Sequence, residues 1–455
     1  MNAEFQRNLW LELTARRMFV MTVVLALIFF AAALTDGTVS GPGSVARWLY
    51  YAIVVIWGTR NAALGVVGEI RDRTWDGQRL SSLGADTMAL GKLFGSTSYN
   101  WFGGAICLIV ILADLLGTRG PFVALIDLVY YLAIGVIGQA AALLASLLAA
   151  RRRQLHSRFD VFVYQAVGIF AAVAVYLVWA VADPASSIFA HKAATDYIIW
   201  WGQPLAARGF LLLSLAIFAA WMLIGCYRQM RLELMMRNGP FVWLGFLLFV
   251  GVYVAGFDAW LSSNHTLMHL DAVARRLLLA GTTLALLAYL MAFLEPKDSV
   301  QYRWLGGAFA KLRIGPALMR LQGWMMAYLA ALGVGIVLFF WLGRTSTPSD
   351  QAMLCAMLGF LTRDMALIVM GSLLSRVHGS DFAAAAVLFV LYVLLPAIVK
   401  GLNLEAAQMF FFPWASEPSW LSPVVAWGEA ALAVAITIGR VVLPEQHTDA
   451  QAAGA

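Results

Sequence analysis

Arg363 and Asp364 stand side by side in the apolar run GFLTRDMALIV. In hydrocarbon an ionised side chain costs at least about 3 kcal/mol unless it faces other helices or water, so both are expected to point inward. Adjacent helical positions differ by about 100°, which favours a partner on another helix over a mutual pair. Two roles stay open for them: a contact to a substrate or gate, and an ion pair that holds helices together. Arg60, in WGTRNAALG, precedes Glu69 by nine residues and lies about 13 Å deeper along the same helix, where it either snorkels or lines a path. Gln139, Asp114, Asp127 and Glu429 are weaker candidates. The last three fall near the outer ends of apolar runs, where water is a sufficient partner.

Other chemistry is sparse. His265 and His269 share a helical spacing near Asp258 and Asp271, but without a third ligand they read as polar loop residues, and no metal is expected. A phosphate-binding loop needs G-x-x-x-x-G-K-[ST]. Gly91-Lys92 is followed by Leu93 and lacks the upstream glycine. No nucleophile, acid and base stand together either, so the chain is expected to be no enzyme and to bind no cofactor itself.

The densest polar segment is EIRDRTWDGQRLSSLGADTMALGKL, from Glu69 to Leu93. A loop this charged cannot lie in lipid and must face water. Leu80, Leu83 and Met88 could give it apolar contacts. Arg71, Arg73 and Arg79 suit either acidic groups on a partner or anionic lipid headgroups at the end of a span.

The chain that carries these side chains has 455 residues in all, 62% hydrophobic and 12% charged. That balance excludes an ordinary soluble domain and indicates an all-α polytopic membrane protein of about twelve spans. Trp200, Trp201, Trp414 and Trp420 suit the membrane-interface belt, and Cys107, Cys226 and Cys355 suit small core residues without disulfides. The net charge of +6 is read as orientation and not as nucleic-acid binding: Lys and Arg gather in alternate loops, which places both termini in the cytoplasm. The start of the chain has no cleavable-signal pattern, so the first span is expected to be kept.

An internal repeat divides the chain. LWLELTARR before the first span returns as MRLELMMRN before the seventh, so Glu12 answers to Glu233. Glu69 with Asp72 returns as Glu295 with Asp298, and Ser146 as Ser372, both at an offset of 226 residues. Two tandem six-helix halves, 1–226 and 227–455, follow. Phe5, Leu9, Leu13 and Phe19, set among charges, suit an interfacial elbow helix before the first half, and the second motif suggests another.

LELTARR leading into the first span, GEIRDRTWDGQRL leaving the second and MALGKLFGS opening the third resemble, in order and spacing, the permeases of type-2 ATP-binding-cassette (ABC) transporters. The resemblance covers residues 1 to about 110 and rests beyond them on six-span halves. It implies the transmembrane subunit of an ATP-driven exporter in a bacterial inner membrane, whose transported substrate is unknown. A separate nucleotide-binding ATPase subunit would carry the ATP and magnesium and dock on Glu69, Asp72, Arg73, Trp75, Arg79, Leu80, Leu83 and Lys92. The corresponding loop of the second half, with Glu295, Asp298 and Arg303, lacks the Arg-Thr-Trp-Asp and Gly-Lys pieces, so its docking is expected to be weaker or lost. The pathway is built from one chain or from a dimer. The alternative is a secondary transporter of the major-facilitator kind, which also has a polar loop between its second and third spans. The spacing of Gly77 and the interfacial helix fit that family less well.

Overall fold

The computed structural model describes residues 2–34, 41–81, 83–150, 158–182, 196–262, 269–295, 297–374, 380–413 and 420–442. His265 and Trp414 lie outside them. Among the described residues, eleven helices are long and apolar enough to cross a membrane, and Phe241–Ala255 is a shorter apolar one. The protein is an all-α polytopic membrane protein. The only strands among the described residues are β1 (Tyr197–Trp200) and β2 (Gln203–Ala206).

The chain forms two compact units. Met1–Ile198 and Gln203–Asn238 make the first, Ile199–Gly202 and Gly239–Ala455 the second. The first unit runs past residue 226 because α10 (Ala207–Glu233) is one unbroken helix through that point. Met230–Glu233, the start of the second elbow motif, is the last turn of this helix and not a helix of its own. The motif at the start of the chain does form a separate helix, α1 (Ala3–Glu12), which ends just before α2 (Ala15–Leu34).

From Pro42 to Arg71 the first unit has a single 30-residue rod. Its ends are α-helical, α3 (Pro42–Tyr50) and α4 (Gly58–Arg71), but Tyr51–Trp57 between them is a π-helix. Widening the turn shifts the backbone bonding, so that the Gly58 amide donates to the Ile53 carbonyl five residues back. Side chains from three neighbouring helices also donate to carbonyls of this stretch. Asn100 of α7 (Ser98–Thr118) donates to the Ile53 carbonyl at 2.9 Å, Gln139 of α8 (Pro121–Ala150) to Val54 at 2.9 Å, and Gln165 of α9 (Arg158–Ala182) to Ile56 at 2.9 Å. Gln139 also accepts from the Trp101 indole at 2.8 Å. It is a fully buried bracket in the fold. The remaining helices of the unit are α5 (Trp75–Arg79) and α6 (Ala85–Ser96), both at the end of the rod. At the centre of the unit, α8 packs against α4, α9 and α10.

The second unit contains α11 (Phe241–Ala255), α12 (Asp258–Ser262), α13 (Ala272–Leu294), α14 (Ser299–Ala310), α15 (Ile314–Leu318), α16 (Gly323–Thr345), α17 (Pro348–Leu374), α18 (Ser380–Phe389), α19 (Leu395–Gly401) and α20 (Leu421–Val442). Here the central helix is α17, packed against α20, α18, α16 and α13. A π-helical stretch, Val390–Leu394, joins α18 to α19 just before Pro396. Proline has no N–H to return to the preceding turn, which accounts for the widening.

Replacing Gln139 with Leu removes the side-chain donor to the Val54 carbonyl and the acceptor of the Trp101 indole together. We expect a loss of about 1–2 kcal/mol, read as a lowered unfolding temperature of the detergent-purified protein. An unchanged midpoint would show that the π-helix does not depend on this bracket.

Candidate functional site

The end of α4, the short α5 and the start of α6 are the places where the charged island meets the helices, and α1 lies along α6. That contact needs a helix face without side chains. Gly91 and Gly95, one turn apart, provide it: a Cβ at Gly91 would stand 2.7 Å from Cβ of Glu4, and one at Gly95 would stand 2.7 Å from Cβ of Asn8. Small residues one turn apart let two helices approach this closely in a membrane.

Between the four elements sits Lys92, 1% exposed. Its ammonium donates to Glu69 Oε2, to Gln78 Oε1 at 2.7 Å and to Glu4 Oε1 at 3.2 Å, and it lies 5.2 Å from the Trp75 ring centroid. Arg7 bonds the same two carboxylates, Glu4 Oε1 at 2.8 Å and Glu69 Oε1 at 2.7 Å. Gln78 donates to Glu69 Oε1 at 2.6 Å, and Asn8 to Glu4 Oε1 at 3.1 Å. Two cations meet two carboxylates, so the cluster is neutral. Burying an ammonium is costly, and only this density of acceptors makes it tolerable.

The expected docking residues therefore divide. Lys92 and Trp75 are buried and hold the loop from inside. Glu69 is the hub of the cluster, with 18% of its side chain exposed. Arg79 donates from Nε to the Glu233 carbonyl at 2.9 Å, tying α5 to the end of α10. Met88 is fully buried and belongs to the core, and Leu83 is half-buried. The surface offered outward is Asp72, Arg73, Asp76 and Leu80, the last 88% exposed. Arg73 takes a left-handed conformation, φ 58°, where the chain turns from α4 into α5. Glu4, Arg7, Asn8 and Gln78 were not singled out in the sequence. Glu4 and Asn8 repeat at the same four-residue spacing as Gly91 and Gly95, and that match is the signal that could have found them.

The second unit solves the same junction differently. Glu295, at the end of α13, accepts from the backbone amides of Gly323 at 3.0 Å and Trp324 at 3.1 Å, so it caps the N-terminus of α16. Asp298 is the N-cap of α14, accepting from the Val300 amide at 2.9 Å. Arg303 is exposed. Burial holds the Tyr302 phenol above its ordinary range, which keeps it neutral, and it donates to Gln322 Oε1 at 3.0 Å.

Deep in the second unit, Arg363 and Asp364 are 3% and 0% exposed. They pair with each other, at 3.0 Å, and each also has the expected partner on another helix. The long Arg363 side chain spans the step of about 100°, and a second partner holds its other edge: Glu429 of α20, 2.7 Å from Nη1. Glu429 is therefore part of an internal charge cluster, and water at the span end is not its only partner. The hydroxyls of Tyr289 and Tyr392 both donate to Asp364 Oδ2, at 2.6 and 2.5 Å. These two tyrosines, with Leu277, Gly281, Gly335 and Phe360, line a cavity of about 250 Å³. Arg60 of the first unit is exposed.

The other polar positions have structural partners. Asp114 pairs with Arg47 at 3.5 Å and Asp127 with Arg119 at 3.0 Å. Asp258 pairs with Arg276 at 3.1 Å, Asp271 caps α13, and His269 meets Asp350 at 3.1 Å. Among the described residues no group of three His, Cys, Asp or Glu could hold a metal.

Lys92→Met leaves the two carboxylates with one cation. It is expected to destabilise the protein by about 3–5 kcal/mol, and adding Glu4→Gln, which restores neutrality, should recover part of the loss. Unfolding midpoints of the single and double variants test this, and a double variant less stable than Lys92→Met alone would rule out the shared cluster. Compared with known protein families, with characterised proteins and with solved structures, the chain finds no match.

Proposed function

We propose that this chain is the transmembrane subunit of an ATP-driven ABC transporter, an exporter in a bacterial inner membrane with both termini in the cytoplasm. A separate nucleotide-binding subunit hydrolyses the ATP, and the two permease-like halves of the chain are the two units. The observation that carries the reading is the mounting of α5. A drive helix must be stiffly joined to the spans that it moves while it offers a free face to its engine. Through Lys92, Glu69, Gln78 and Glu4, α5 is fixed to α1, α4 and α6, and Arg79 fixes it to α10. Arg73, Asp76 and Leu80 face outward. The Glu69–Leu93 segment carries four acidic and four basic residues, a balanced surface that suits a folded protein better than an anionic membrane.

Within this reading, Arg73 and Leu80 recognise the partner and Arg79 positions the helix. Arg73→Glu and Leu80→Asp should lower ATPase co-purification and ATP-driven transport without changing the unfolding midpoint, whereas Arg79→Glu should lower both. Transport by the reconstituted chain alone, following an ion gradient and indifferent to ATP, would overturn the proposal.

A further inference from the structure

The loop of the second unit between α13 and α16 has a different surface from its counterpart. Residues 297–322 contain Lys297, Arg303, Lys311, Arg313 and Arg320 against the single acid Asp298. They fold as a helical hairpin, α14 and α15, with Leu312 at its turn in a left-handed conformation, φ 52°. The inner side is fastened: Tyr302, Leu305, Ala308 and Ala317 join the core, Gln301 donates to the Arg320 carbonyl at 3.0 Å, and the Arg320 guanidinium lies 4.0 Å from the Trp304 ring centroid. The outer side is apolar. Leu312 is 81% exposed, and Val300, Phe309, Ile314, Leu318 and Met319 are exposed with it. Arg303, Lys311, Arg313 and Arg320 are exposed among them.

Apolar side chains interleaved with cations, on helices that begin and end at span termini, are the pattern of a segment lying in a membrane interface. The apolar groups enter the acyl boundary while each Lys or Arg gains from anionic headgroups. A folded protein partner would leave this excess of positive charge without counterions unless its own surface were acidic and apolar together. We propose that the α14–α15 hairpin is a membrane-surface anchor that binds anionic phospholipid, inserting Leu312 and its apolar neighbours into the headgroup boundary. The anchor does not depend on the transporter reading, since it needs only a bilayer.

A nitroxide reports it directly. Leu312→Cys is labelled in a background with Cys107→Ala, Cys226→Ala and Cys355→Ala, and the chain is reconstituted without any ATPase into vesicles of phosphatidylcholine with or without phosphatidylglycerol. Leu80→Cys in the same background is the control. In the anionic vesicles the Leu312 label should collide more with oxygen than with a water-soluble nickel chelate, and the Leu80 label the reverse. Adding Arg303→Gln, Lys311→Gln and Arg313→Gln should shift the Leu312 label toward the chelate. Equal access to water at both labels in anionic vesicles would overturn the proposal. So would a Leu312 label that is shielded only after a soluble protein is added.

Discussion

An ammonium group cannot be kept from water unless its charge is answered on the spot, and the Lys92 side chain is answered from three directions at once. Its position is set by an approach of backbones, because α1 reaches α6 only along the bare face of Gly91 and Gly95. Once there, Glu4 brings a carboxylate that faces Glu69 across the same lysine. Burial of the ammonium depends on the carboxylates around it. The consequence is a junction in which α1, the end of α4, α5 and the start of α6 are gathered around one side chain.

Uncharged polar groups inside the spans obey a matching rule. At the π-helical stretch Tyr51–Trp57, amide side chains from three helices donate to backbone carbonyls, so an irregularity in one span becomes a set of fastenings between spans. Both units place their most buried span, α8 in one and α17 in the other, around a polar group. In the first unit that group is the neutral Gln139. In the second it is an arginine between two carboxylates, with two tyrosine hydroxyls completing Asp364.

The membrane class, the apolar helices and the exposure of the charged island were legible because hydropathy over some twenty residues reports them directly. The inward position of Arg363 and Asp364 was legible for the same reason. What periodicity could not show was which residues meet across helices. The depth of Glu429 read from one helix alone suggests water as its partner, and nothing in the sequence around Glu4 points to Lys92. The division of the island into Lys92 and Trp75 inside and Arg73 and Leu80 outside is equally a tertiary fact, since each pair holds one cation and one large apolar residue. The MRLELMMRN motif resembles the first elbow sequence, yet its first four residues end α10, because the apolar run before it is long enough to carry the helix straight through.

Glu69 and Glu295 leave their spans in the same way and then bind different things, a side chain in one unit and a helix terminus in the other. A lysine on four rotatable bonds can follow a carboxylate through small displacements and keep its bond. Two backbone amides at the start of α16 cannot, since they move only with the whole helix. The first junction thus stays fastened through small shifts of its parts. The second is a weld, through which α13 and α16 turn as one piece.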